Sequence, residues 1–159
     1  MNNVYFIADL HFGDKDVTHW RGFSSMEEHD NLIISNWNKT VSNEDTVWIL
    51  GDIALGDESN VDKLGLLNGK KHLILGNHDT KPSRVYLKYV EEIYGAHQMD
   101  EFILTHIPVH TSQFPRWSIN ICGHLHGRKI NDDRYFCVSV DTINYAPILF
   151  SEIKKITTI

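Results

Sequence analysis

The sequence has few cysteines and no long apolar run. Its 159 residues include two cysteines, Cys122 and Cys137, which do not form a Cys-x-x-Cys motif. This usage predicts buried, reduced thiols in a cytoplasmic protein. No stretch approaches the roughly 20 apolar residues of a membrane span, and the N-terminal segment lacks the basic region and long apolar core of a signal peptide. We therefore expect a cytoplasmic protein without a membrane partner.

Basic residues are too few for a large nucleic-acid surface. The chain has 15 basic and 21 acidic residues, for a formal net charge of −6. Proteins that bind long nucleic acids present a basic face, so the charge balance disfavours such a partner. A small phosphate substrate stays possible because bound metal ions can supply positive charge. Histidine, in contrast, is abundant, with ten residues.

The pattern of short apolar runs predicts one α/β domain over residues 1–159. This length suits a single domain that buries roughly 70% of its unfolded surface. The first half alternates strands and helices, whereas the second half is a series of strands. We therefore predict two sheets packed as a β-sandwich with helices on the outer faces. The expected strands are 4–8, 46–50, 72–75, 101–105, 119–122, 134–140 and 148–156, and the expected helices are 25–41, 61–68 and 83–95.

Side chains that can bind metals follow five of the predicted strands. The carboxyl edge of an α/β sheet is where such folds bind ligands. Glycines precede three of these groups and permit sharp turns there. Taken singly, each group is an ordinary turn sequence or strand end, and only the series indicates a site. The candidate ligands are Asp9, His11, Asp52, Asn77, His106, His124 and His126.

Seven candidate ligands are more than one tetrahedral ion can bind. They suit two ions of five or six coordination that share a carboxylate. Mixed imidazole and carboxylate ligands favour manganese, iron, nickel or zinc over magnesium. Two such ions about 3.5–4 Å apart are the standard arrangement for displacement at phosphorus. We therefore predict two divalent transition-metal ions as cofactors and a small phosphate ester as the substrate.

The order of the motifs DxH, GD, GNHD, H and GHxH resembles the calcineurin-like metallophosphoesterase superfamily, in particular its compact single-domain bacterial and phage members. The resemblance runs from Asp9 to the final strands and implies a helix-flanked β-sandwich. It implies a catalytic role for His78 beside the leaving group, as general acid or transition-state donor. It also implies two metal sites that share Asp52: one formed by Asp9, His11, Asp52 and His126, the other by Asp52, Asn77, His106 and His124.

The second motif departs from the protein-phosphatase branch of that superfamily. It reads GDIALGD, so Leu55 replaces an acid and the phosphate-binding arginine is missing. A monoester dianion needs such extra cations, so we expect a preference for phosphodiesters such as nucleotide diesters. Arg21 is a candidate substrate-binding residue, with a surface or packing role as the open alternative. Asp79 is expected to cap its own turn, and Asp141 either supports a ligand or is purely structural.

The expected mechanism is attack on phosphorus by a hydroxide that bridges both ions, with His78 donating to the departing oxygen. Two alternatives stay open. One is a metal-poor scaffold or protein-binding module of the same fold, as in the retromer subunit of this superfamily, which the filled ligand positions disfavour. The other is a nuclease on DNA or RNA, which the acidic charge balance disfavours. The oligomeric state is not predicted.

Overall fold

The computed structural model describes residues 2–157, and its first β-sheet has five strands. They are β1 (Val4–Ile7), β2 (Thr46–Ile49), β3 (Lys70–Ile74), β4 (Glu92–Tyr94) and β9 (Ile148–Leu149). Their order across the sheet is β4-β3-β2-β1-β9. Strands β1 to β4 are parallel and β9 is antiparallel to β1. The carboxyl ends of β1, β2 and β3 therefore meet at one edge.

The second sheet has four strands in sequential order. They are β5 (His97–Met99), β6 (Phe102–Leu104), β7 (Ile119–Cys122) and β8 (Tyr135–Cys137). Strand β5 is antiparallel to β6, whereas β6, β7 and β8 are parallel. As in the first sheet, the two strands that precede candidate ligands, β6 and β7, end at a common edge.

Residues 2–157 also form four α-helices and three 3₁₀ segments, all of which lie between strands except the last helix, which follows β9. The α-helices are α1 (Lys15–Trp20), α2 (Met26–Thr40), α3 (Ser83–Tyr86) and α4 (Phe150–Ile156), and the 3₁₀ segments are Glu58–Leu66, Thr111–Gln113 and Val140–Thr142. Within residues 2–157, every helix is too short or too polar to cross a bilayer.

The core has two layers because the central strands bury both faces. In β1, Ile7 packs in one layer with Ile33 and Trp37 of α2. Phe6 points to the opposite face and packs in the other layer, which also contains Phe102 of the second sheet. This alternation follows from the two-residue repeat of a strand. The predicted α/β sandwich of two sheets with flanking helices is confirmed.

Two predicted elements are wrong. The helix expected at 83–95 is helical only over Ser83–Tyr86, after which the chain turns and forms β4. Its apolar residues have helical spacing, but Ile93 pairs with Leu73 of β3 instead. The strand expected at 148–156 stops after Leu149 and continues as α4. There Phe150 and Ile153, three residues apart, both contact the core between the sheets, which is a helical spacing.

Three differences are smaller. The helix expected at 61–68 is a 3₁₀ helix over Glu58–Leu66, and the expected strands at 101–105 and 134–140 are shorter. Strand β5 and helix α1 were not expected. The signal for α1 is the Asp14 side chain, which accepts hydrogen bonds from the backbone N–H groups of Asp16 and Val17 as an N-cap.

Candidate metal centre

Five of the candidate ligands lie in turns with a left-handed backbone. The φ angles of Asp9, His11, Asp52, His124 and His126 lie between 49° and 66°. Non-glycine residues rarely adopt this region, and each such residue costs on the order of 1–3 kcal/mol. These five are the majority of the eight non-glycine residues with positive φ in the described chain. Strain of this kind concentrates at functional sites.

The first ligand cluster joins the loop after β1 to the loop after β7. Donor atoms of Asp9, His11 and His126 all lie within 4.8 Å of one another. The Asp9 carboxylate accepts a 2.9 Å hydrogen bond from the backbone N–H of His124 and another from the Ser139 hydroxyl. Asp9 and His11 are buried, whereas His126 is partly exposed. This cluster therefore opens to solvent on the side of His126.

The second cluster joins the loop after β2 to the loops after β6 and β7. Donor atoms of Asp52, His106 and His124 lie within 4.8 Å of one another. Asn77 lies beside them, with its Oδ1 3.0 Å from Nε2 of His106. The Asp52 carboxylate also approaches the first cluster, since its Oδ2 is 3.2 Å from Nε2 of His106 and 3.5 Å from Nε2 of His11. Asp52 is thus the residue between the two clusters.

Three of the histidines are oriented by hydrogen bonds from Nδ1. Each acceptor is an oxygen without a proton, so Nδ1 carries the hydrogen and Nε2 is left to face the site. Outer acceptors of this kind fix the tautomer of metal-binding histidines. The pairs are His11 with Asp14 at 2.9 Å, His126 with Asp141 at 3.0 Å, and His106 with the Leu50 carbonyl at 2.7 Å.

The electrostatics of the clusters fit divalent cations. Nε2 of His11 is buried and has no hydrogen-bond partner among the described residues. Burial opposes protonation of His11 and His106, but their contacts with Asp52 outweigh burial and raise both pKa values. Burial likewise opposes ionisation of Asp52, but His106 and His11 hold the pKa of that carboxyl far below its usual range. Concentrated negative charge and imidazole nitrogens are what a transition-metal site requires.

Asp79 clamps two of the ligand loops together. Its carboxylate accepts hydrogen bonds from the backbone N–H groups of Gly76 and Asp52 at 2.8 Å and of Ile53 at 2.9 Å. Burial raises its pKa despite these hydrogen bonds. Asp79 therefore caps its own turn, as expected, and also holds Asp52 in its left-handed conformation.

Arg21 lies behind the first cluster. Its side chain is buried. The guanidinium donates to both carboxylate oxygens of Asp141, at 2.9 and 2.8 Å, and to the Asp9 carbonyl at 2.8 Å. Through these contacts Arg21 supports His126 by way of Asp141, and its contact with a substrate stays a prediction. The supporting option for Asp141 is thereby the correct one.

His78 lies at the exposed mouth of the site. Its backbone N–H donates to Oδ1 of Asp52 at 2.9 Å. Its ring centroid is 5.4 Å from that of His11. The imidazole is therefore beside both clusters and accessible to a substrate, which is compatible with the catalytic role predicted for it.

No family model matches the chain. It is 32% identical over 170 residues to the uncharacterized protein MJ1445 of Methanocaldococcus jannaschii, an alignment that covers 98% of this chain and 92% of the relative. It is 34% identical over 163 residues to the gene 66 protein of Mycobacterium phage D29, covering 82% of this chain and 81% of the phage protein.

Among solved structures, the chain resembles AQ665, a protein of unknown function from Aquifex aeolicus. The TM-score is 0.78 at 26% identity, with 98% of this chain and 99% of that chain covered. An archaeal phosphodiesterase and a metallophosphoesterase from Sphaerobacter thermophilus match with TM-scores of only 0.46 and 0.42. On the sequence relationships, the chain belongs to the family that includes MJ1445 and the gene 66 protein of phage D29.

Proposed function

We propose that the protein is a calcineurin-like phosphoesterase that hydrolyses small phosphodiesters with two bound divalent transition-metal ions. The observation that carries this proposal is the position of the Asp52 carboxylate. Its Oδ2 is 3.5 Å from Nε2 of His11 in one ligand cluster and 3.2 Å from Nε2 of His106 in the other. Two clusters with a carboxylate between them match the requirement for a pair of ions that act on one phosphoryl group. When bound, such ions acidify water and neutralise charge on the phosphate.

The remaining residues hold this arrangement and handle protons. Asp14, Asp141 and the Leu50 carbonyl fix the histidines, so the site needs little reorganisation when a substrate arrives. His78 is exposed beside His11 and is the residue to which we assign the proton given to the departing oxygen. A positioned acid of this kind typically contributes about 10²–10⁴ in rate.

The preference for diesters rests on the charges near the site. A monoester dianion requires cations beyond the metals. Arg21 is already paired with Asp141, and Arg128, in the groove beside His126, is a single exposed arginine. A diester carries a single negative charge, which two ions and His78 can balance. We therefore expect kcat/KM for bis(4-nitrophenyl) phosphate to exceed that for 4-nitrophenyl phosphate with the same ions.

The test is to strip the protein with a chelator, reload it with manganese, nickel or zinc, and measure metal content and both activities. Asp52→Asn should abolish turnover and weaken binding of both ions, whereas the exposed Asp62→Asn control should behave as wild type. His78→Ala should lower kcat about 10²–10⁴-fold and keep both ions.

Three results would refute the proposal or part of it. Failure to bind metal would favour a scaffold of the same fold. Cleavage of long nucleic acid in preference to small diesters would favour a nuclease. A clearly better rate on the monoester would contradict the assigned substrate class.

A further inference from the structure

Trp20 is the most exposed large apolar side chain in the described part of the chain, at 64%. It is the last residue of α1, and its ring meets the ring of His126 edge-on at a centroid distance of 5.6 Å. Single exposed apolar residues are common on proteins. Trp20 is unusual because its neighbour is a candidate metal ligand.

Hydrogen bonds attach helix α1 to the candidate metal centre at both ends. Asp14, its N-cap, holds the backbone N–H groups of the first turn with Oδ1 and the His11 imidazole with Oδ2. Arg21, directly after the helix, donates to Asp141 and to the Asp9 carbonyl. A six-residue helix held in this way fixes the backbone of Trp20 beside the first cluster, where its ring contacts His126.

Trp20 forms one wall of an open groove of about 590 Å³. This volume lies within the range of small-molecule sites. Val17 and Leu125 make the groove apolar, His126 connects it to the first cluster, and Arg128 adds a positive charge. An aromatic group attached to a phosphate suits these walls, because its ring can stack on indole while the anion stays near the ions and Arg128.

The row of rings indicates which ester group occupies the groove. His78 is 5.4 Å from His11, His11 is 5.1 Å from His126, and His126 is 5.6 Å from Trp20. The proposed proton donor and the indole are therefore the two ends of this row. If the departing oxygen lies at the His78 end, the group that stays on phosphorus lies at the Trp20 end.

We infer that Trp20 is a specificity residue that stacks on an aromatic ring, a nucleobase or an aryl group, in the retained ester group of the substrate. This inference rests on the proposed phosphodiesterase function. Stacking of a base on an aromatic side chain is worth about 1–3 kcal/mol. Converted at 1.4 kcal/mol per factor of ten, loss of the stack corresponds to about 5- to 150-fold in kcat/KM.

The experiment compares two diesters that share the 4-nitrophenol leaving group and differ in the retained group. They are phenyl 4-nitrophenyl phosphate and methyl 4-nitrophenyl phosphate, assayed with the manganese-loaded protein. Trp20→Ala should lower the phenyl-to-methyl ratio of kcat/KM by about 5- to 150-fold, and Trp20→Phe should keep most of it. Use of the ratio cancels the different intrinsic reactivity of the two esters.

Leu66→Ala is the matched control, because Leu66 is 59% exposed and lies on the 3₁₀ helix Glu58–Leu66, outside the groove. Its ratio should equal that of wild type. A second readout needs no turnover: calorimetric binding of phenylphosphonate, but not of methylphosphonate, should weaken in Trp20→Ala. Thermal unfolding checks that each variant is folded.

An unchanged phenyl-to-methyl ratio in folded Trp20→Ala would overturn the inference. If Trp20→Ala left the ratio unchanged but altered the oligomeric state, Trp20 would instead be a contact between copies of the chain. If the wild-type protein hydrolyses neither diester, the proposed function fails, and the phosphonate measurement alone then decides the role of Trp20.

Discussion

Arg21 connects three parts of the first ligand cluster. It holds the Asp9 carbonyl, and it holds Asp141, which in turn accepts from Nδ1 of His126 at 3.0 Å. Burial opposes ionisation of Asp141, but His126 and Arg21 lower the pKa of this carboxyl to about 2. The carboxylate is therefore charged at neutral pH and remains an acceptor for His126.

Arg21→Ala should weaken binding of one ion about 10- to 100-fold, the usual cost of losing a residue behind a metal ligand. The other ion should keep its affinity, because the contacts of Arg21 reach Asp9 and His126 rather than His106 or His124. Native mass spectrometry during a metal titration should show one ion where wild type shows two.

Arg134→Ala is the control for this variant. Arg134 pairs with Asp132 as Arg21 pairs with Asp141, but its side chain is 47% exposed. The control should bind two ions like wild type. Equal affinity of both ions in Arg21→Ala would show that Asp141 orients His126 without help.

At this scale the sequence predicted the candidate ligands, but it left the role of Asp141 open and did not indicate its partner Arg21 as a support. Each ligand follows a strand, so its position is encoded locally. Asp141 lies 120 residues from Arg21 along the chain, and only the fold brings the two together. Asp14 was detectable in principle, because it follows His11 by three residues and begins a helix.

Among the elements, helix α2 depends on its first residue. The Ser25 side chain accepts a 3.1 Å hydrogen bond from the backbone N–H of Glu28. Glu28 in turn accepts from the backbone N–H of Ser24, so the two side chains satisfy two backbone N–H groups at the start of the helix. The helix buries Ile33 and Trp37 in the first core layer.

Ser25→Ala should lower the free energy of unfolding by about 1 kcal/mol, as is typical for loss of an N-cap. Urea denaturation provides the measurement, and metal affinity should not change. Ser35→Ala, an exposed position inside the same helix, should leave stability equal or slightly higher because alanine favours helices. Equal stability of Ser25→Ala and wild type would mean that the cap contributes nothing in this protein.

The elements that were mispredicted share one cause. Short apolar runs fit both a strand and a helix, and their partners decide between the two. Residues 92–94 pair with β3, so the predicted helix gives way to β4. Residues 150–156 follow a two-residue strand, and the sheet offers them no further pairing in the described structure. In contrast, runs buried on both faces, such as β1 and β2, were recognisable from the sequence.

For the whole molecule, bound metal ions should stabilise the fold by linking the two sheets. The ligands follow strands of both sheets, and unfolding would separate them. An ion at 100 times its dissociation constant stabilises a folded protein by about 2.7 kcal/mol. In a chain of this size each kcal/mol corresponds to about 2–4 °C in Tm.

Scanning calorimetry should therefore show a higher Tm with manganese or zinc, by several degrees, and a return to the original value with chelator. Magnesium should raise Tm less because the imidazole ligands suit it poorly. Asp52→Asn should lose most of the shift. A metal-independent Tm would contradict two tightly bound ions.

The pairing of β1 with β9 has a consequence for the timing of synthesis. Asp9 lies just after the first strand, whereas its partner Ser139 is 130 residues further along the chain, and β9 begins at Ile148. A nascent chain can pair β1 with β2 early, but the first ligand cluster lacks His126, Ser139 and Asp141 until they leave the ribosome. The loop after β1 thus stays unfinished through most of translation, and an ion bound at the complete first cluster would report that residues up to at least 141 have been made.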